Sequence, residues 1–95
     1  MRRAARTDAN QPLIVRALRD AGATVQILAG IGQGCPDLLV GLAGVNLLME
    51  IKDPMRKPSE QALTDDEVEF HAAWKGQVAV VKTVREALTL LERYA

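Results

Sequence analysis

The sequence predicts an α/β layer fold, a mixed four-stranded sheet flanked by helices in the order α-β-β-β-α-β-α, and three observations predict it. Apolar residues recur at helical spacing near both ends, in Leu13, Ile14, Ala17, Leu18 and Ala21 and again in Ala87, Leu88 and Leu91. Between them the short runs DLLVG, VNLLMEIK and VAVVK are apolar nearly throughout, as strands buried on both faces are. Glycine, proline and two Thr-x-x-Glu sequences punctuate these runs, so that strands and helices alternate after an initial cluster of strands.

Residues 1–9 are polar and basic and read as a flexible arm ahead of a single domain over residues 10–95. The first helix runs from Asn10 to Ala21, with Pro12 tolerated in its first turn and Gly22 closing it. Val25 to Leu28 is a short strand, and Gly30, Gly32 and Gly34 form a flexible approach to Pro36. Asp37 starts the strand DLLVG, which Ala43-Gly44 joins to VNLLMEIK as a hairpin, because glycine accepts positive φ at little cost. The segment DPMRKPSEQAL reads as a loop. Thr64 with Glu67 makes a capping box for a helix reaching about Trp74, and its Phe70 and Trp74 are expected to face the core. Gly76 precedes the strand VAVVK, and Thr83 with Glu86 caps the last helix.

Composition narrows the function classes. Hydrophobic residues make up 48% of the 95 residues but aromatics only 3%, so the core must be aliphatic, with Phe70 and Trp74 as its expected bulky fillers. Twelve basic residues balance twelve acidic ones, so attraction to nucleic acid has to come from a local patch. Arg2, Arg3, Arg6, Arg56 and Lys57 are the candidates for such a patch, with solubilising charge as the competing reading. A single cysteine, Cys35, allows no intramolecular disulfide and is too few for a structural zinc site. No apolar run approaches the length of a membrane span and no secretory signal is legible, so a reducing, cytoplasmic setting is expected.

The candidate chemistry lies in Asp37, Glu50 and Lys52. Side chains two apart on a strand share a face, so Glu50 and Lys52 lie side by side while Ile51 turns into the core. If the strand that Asp37 opens pairs with the strand that Glu50 closes, two carboxylates and an ammonium converge on one sheet edge. That set suits a metal-dependent phosphodiesterase; the plainer reading is a turn-capping acid and a surface ion pair worth about 0–1 kcal/mol. His71 reads as a satisfied or exposed histidine, and Cys35, without a histidine partner, as a space-filler.

Pro36-Asp37, Glu50-Ile51-Lys52 and LTDDEVEFHAAW at 63–74, in this order of elements, resemble the PD-(D/E)xK nuclease superfamily and within it the small stand-alone, phage-like VRR-NUC type. The resemblance covers the chain from Gln11 to Leu91. It implies a restriction-endonuclease-like core and a DNA endonuclease using Mg²⁺ or Mn²⁺. Asp37, Glu50 and the backbone carbonyl of Ile51 become metal ligands and Lys52 the catalytic lysine, while the amide oxygen of Gln11 can still reach a metal-bound water. It further implies a homodimer acting on branched or duplex DNA in the manner of a Holliday-junction resolvase, in the cytoplasm of a bacterial or phage-infected cell. The chain departs from the family pattern twice. Gln11 or Asn10 stands where many members carry a first-helix glutamate, and Glu67 stands where a glutamine is frequent. The alternative is therefore a weak or inactive nuclease-fold protein that binds nucleic acid.

Overall fold

The computed structural model describes residues 7–94, so residues 1–6 of the expected arm, with Arg2, Arg3 and Arg6, lie outside the described residues. The element order is α1 (Gln11–Asp20), β1 (Thr24–Ile27), β2 (Leu38–Leu42), β3 (Val45–Ile51), α2 (Pro58–Gln61), α3 (Asp65–Ala73), β4 (Gln77–Val81) and α4 (Val84–Tyr94). One four-stranded sheet runs β1-β2-β3-β4, antiparallel across the first two pairs and parallel across the last. The mixed sheet expected from the sequence is therefore present. The one addition is α2, a single turn opening at Pro58 within the stretch expected to be loop.

Helix α1 follows from its amphipathic spacing. Ile14, Val15 and Leu18 are buried while Leu13 and Arg16 face outward. It ends in a Schellman motif, with the Ala23 amide donating to the Leu18 carbonyl and the Gly22 amide to the Arg19 carbonyl, both at 3.0 Å. Helix α4 buries Ala87 and Leu91. Its start is capped as expected on one side, Thr83 Oγ1 accepting from the Glu86 amide at 3.1 Å. The Glu86 carboxylate accepts from the Lys82 amide at 2.7 Å, one residue earlier than a capping box places it.

Both terminal helices cover the same face of the sheet. The core there joins Ile14, Leu18, Ala87 and Leu91 to Leu38, Val40, Leu47, Met49, Ile51 and Val81. Successive strand residues alternate faces, so Leu39, Leu48, Glu50 and Lys52 belong to the other one. α3 lies on that side, tied to the end of β3 by an ion pair between Lys52 and Glu67.

The expectation for Phe70 and Trp74 is overturned. No residue of α3 is buried, Trp74 is 48% exposed, and the two rings stack on each other at 5.1 Å with planes 14° apart. Acidic residues crowd the first turn of α3, and its remaining apolar positions do not gather on one side, so it has no stripe to drive into the core. The core is accordingly aliphatic throughout.

Candidate active site

The site begins with the β2–β3 hairpin. Ala43 and Gly44 have φ of +53° and +80°, the positive pair that a two-residue type I′ turn requires, and Leu42 pairs directly with Val45 across it. That turn sets every later pairing, including Leu38 with Met49. One step further along, Asp37 stands opposite Glu50, on the face away from the core. The two acids separated in sequence thus meet because of hairpin register, and a one-residue slip would turn them to opposite faces.

Asp37 is held by the end of β3. Its Oδ2 accepts from the Ile51 amide at 2.7 Å, replacing the strand partner that β2 no longer supplies. A residue's N–H and C=O leave an extended strand on the same side, which directs the Ile51 carbonyl toward Asp37 as well. Glu50 is 3% exposed and Lys52 7%. The Lys52 amide donates to the Val81 carbonyl at 3.0 Å, and the Asn10 side-chain amide donates to the carbonyls of Lys52 at 3.1 Å and Lys82 at 2.9 Å. Asn10 therefore fastens the ends of β3 and β4 together and fixes where Lys52 leaves the sheet.

A cleft of about 340 Å³ opens over these residues, lined by Asp37, Glu50, Ile51 and Lys52 together with Asp8, Arg56, Thr64 and Glu67. Asp8 and Glu67 are among those that were not singled out from the sequence as site residues. Asp8 enters just ahead of α1 and pairs with Arg56 at 2.9 Å; Glu67 pairs with Lys52 at 2.8 Å. Asp8 sits in a stretch that reads only as a polar arm, and no local pattern ties it to a loop nearly fifty positions away. Glu67 was legible as a capping residue, and the same Oε1 that accepts from Lys52 does accept from the Thr64 amide at 2.9 Å.

Gln11 is not brought to this cleft. It is 4% exposed and lines a separate one with Thr7, Pro12, Val15, Arg16, Arg19 and Ile27. Arg56 borders the carboxylates and also approaches Glu60 at 3.5 Å, and Lys57 is exposed beside it. A larger cleft, about 580 Å³, lies elsewhere, along the open side of β4 and α4, and presents Lys82, Arg85 and Arg93. It contributes cations but no cluster of acids, which the smaller cleft gathers in Asp8, Asp37, Glu50 and Glu67.

Electrostatics make the carboxylate pair unusual. Burial pushes the Glu50 carboxyl up to about 10, and a hydrogen bond and negative charge from Asp37, then Glu67, push the same way; Lys52 offsets only part. Glu67 is lowered by Lys52 and the Thr64 amide, against burial. At neutral pH and without a cation, Glu50 is therefore held protonated. Glu50 Oε1 is also buried without a hydrogen-bond partner among the described residues. Among the described residues no group of three or more His, Cys, Asp or Glu side chains is arranged to enclose a metal. Mg²⁺, however, commonly binds through one or two carboxylates and retains waters, so Asp37, Glu50 and a carbonyl form a fitting donor set. The buried Glu50 with its orphaned oxygen, next to the half-buried Asp37, is an arrangement that a cation would fit.

Neighbouring groups support this placement rather than compete with it. The Cys35 thiol is pushed up by burial and then by Glu50 and Asp37, which keeps it protonated and unreactive. His71 is neither exposed nor satisfied, a departure from expectation: it is half-buried, its Nε2 lacks a partner among the described residues, and burial lowers its pKa. Its surroundings leave it a neutral imidazole.

The glycine-rich approach also differs in character from the flexible loop expected. Gly34, at φ +78°, packs on the first turn of α3, where a Cβ would strike the Asp66 carbonyl and come within 2.9 Å of the Glu67 amide. Gly34→Ala is therefore expected to destabilise the protein by about 2 kcal/mol or more, from left-handed strain plus overpacking, as read from thermal unfolding. An unchanged midpoint would show that α3 is not seated on this glycine.

No family model matches the chain, and no curated protein matches it. A solved structure described as a VRR_NUC domain is similar to it at a TM-score of 0.67 and 28% identity, over 90% of this chain and 92% of that one. The restriction-endonuclease-like fold class and the VRR-NUC resemblance read from the sequence are borne out by that likeness. Among the described residues no helix is long and apolar enough to cross a membrane.

Proposed function

We propose that this VRR-NUC-like chain is a Mg²⁺- or Mn²⁺-dependent DNA endonuclease that hydrolyses phosphodiester bonds, acting as a homodimer on branched or duplex DNA. The observation that carries the reading is the buried Glu50, with its unpartnered oxygen, next to the half-buried Asp37 and set beside the Lys52 ammonium at the end of β3. Asp37, Glu50 and the Ile51 carbonyl are the residues that would hold the cation. Bound there, it would neutralise charge on the scissile phosphate and lower the pKa of an attacking water.

The chain's own groups supply the rest. Lys52 presents a preorganised cationic donor in a partly dehydrated cleft, where it stabilises charge developing on the phosphate far better than it would in water. Arg56 and Lys57 stand at the rim, and Lys82, at the same end of the sheet as Lys52, leads to Arg85 and Arg93; these cations suit the flanking phosphates. Two symmetry-related sites in a homodimer would cut two strands of a four-way junction.

A weak or inactive DNA-binding protein is the second reading, favoured by one observation: Gln11 lines another cleft and leaves the carboxylate pair without a first-helix ligand. Labelled four-way junctions, flaps, nicked duplex and linear duplex incubated with Mg²⁺, Mn²⁺ or chelator separate the two. Cleavage that requires the cation and favours the junction supports the endonuclease. Salt-sensitive binding with no cleavage of any substrate would leave the second reading standing.

A further inference from the structure

Glu67 is placed by three polar contacts. Its Oε1 accepts from Lys52 Nζ at 2.8 Å and from the Thr64 amide at 2.9 Å, while its own amide donates to Thr64 Oγ1 at 3.2 Å. The ammonium and carboxylate are 9% and 17% exposed, so water screens the pair weakly. Glu50, 3% exposed and with an unpartnered buried oxygen, faces the same cleft.

The charges in this cleft do not cancel by themselves. Asp37 and Glu50, ionised around a divalent cation, carry one negative charge each, and the neighbouring Lys52 ammonium opposes the cation. Glu67 neutralises that ammonium, so an incoming cation meets the full charge of both acids. The capping box makes the arrangement rigid, because the carboxylate that holds Lys52 also closes the first turn of α3.

We propose that Glu67 is a positioning residue that neutralises Lys52 and thereby sets the divalent-cation affinity of the Asp37–Glu50 pair. The inference rests on the reading of those two acids as cation ligands, and it concerns a position at which this chain has an acid in place of an amide. Glutamine at 67 keeps an oxygen for the Thr64 amide and for Lys52 and removes only the charge, which separates charge from structure.

Titration calorimetry of the full chain with MnCl₂ tests it. Glu67→Gln is expected to bind Mn²⁺ about tenfold more weakly than the unsubstituted chain, with its metal-free melting temperature little changed. Lys52→Met alone is expected to bind about tenfold more tightly, and that variant serves as the test should Glu67→Gln fail to fold. The double variant Lys52→Met/Glu67→Gln is expected to return to about the starting affinity, a recovery that a purely structural role for Glu67 would not give. Unchanged affinity in Glu67→Gln, or a double variant as weak as Glu67→Gln, overturns the proposal while leaving the nuclease reading intact. Absence of Mn²⁺ binding in the unsubstituted chain, or Mn²⁺ binding that survives Asp37→Asn, removes the nuclease reading and this proposal with it.

Discussion

Lys52→Met and Asp37→Asn are each expected to slow cation-dependent DNA hydrolysis by about a hundred- to a thousandfold, measured in single turnover on a labelled junction. The two losses have different physical origins. Methionine keeps the length of the buried Lys52 stem but removes the ammonium that faces the phosphate. It leaves Glu67 without its 2.8 Å partner, though still bonded to the Thr64 amide and partly open to water. The stability cost should therefore be modest, about 1–2 kcal/mol. Asparagine at 37 keeps an oxygen to accept from the Ile51 amide, whereas alanine would orphan that amide and confuse catalysis with folding. Asp37→Asn should lose cation binding and cleavage together, while Lys52→Met should lose cleavage and keep the cation. Near-normal cleavage by either folded variant would remove these residues from the chemistry.

Without a divalent cation, the protein is expected to lose stability as pH rises from about 5 toward 10, and Glu50→Gln is expected to flatten that loss. The sign follows from proton binding. Glu50 titrates near its ordinary value of 4.5 when unfolded and at about 10 when folded, so between those values the folded chain holds a proton the unfolded chain has released. The stabilisation is fully present below the unfolded value and fades as pH climbs through the folded one, with a slope approaching about 1.4 kcal/mol per pH unit for one whole proton. Asp37 and Glu67 drive the effect alongside burial, and Lys52 opposes it. Mn²⁺ should reverse the trend, raising the melting temperature most at high pH, because it binds the ionised pair. Thermal unfolding at pH 5, 7 and 9, in chelator and in Mn²⁺, reads both effects. A pH-independent midpoint in chelator, identical in Glu50→Gln, would mean that Glu50 is solvated and ordinary.

Much of the fold was legible because its causes are local. The helical spacing of Ile14 and Leu18, the apolar runs of β2 and β3 and the Ala43-Gly44 turn each act within a few residues, and each formed as expected. Hairpin register then carried local information to the site, bringing Asp37 opposite Glu50. The misplaced elements depended on partners distant in sequence. Phe70 and Trp74 were expected in the core because they are large, but α1 and α4 already fill the covered face, and the two rings stack on each other instead. Gln11 belongs to α1 as expected, yet the orientation of that helix turns it to another cleft and leaves Asp8 facing the carboxylates.

The sequence by itself determined the sheet, its flanking helices and the shared face of Asp37, Glu50 and Lys52, since alternation along strands and the chemistry of one tight turn suffice for all of these. Only the tertiary structure decided that Asp37 and Glu50 are held close in a cleft that raises the Glu50 pKa, and that Glu67 reaches across from α3 to neutralise Lys52. Burial and charge coupling depend on which elements pack together, and that packing is settled by the whole core rather than by any motif.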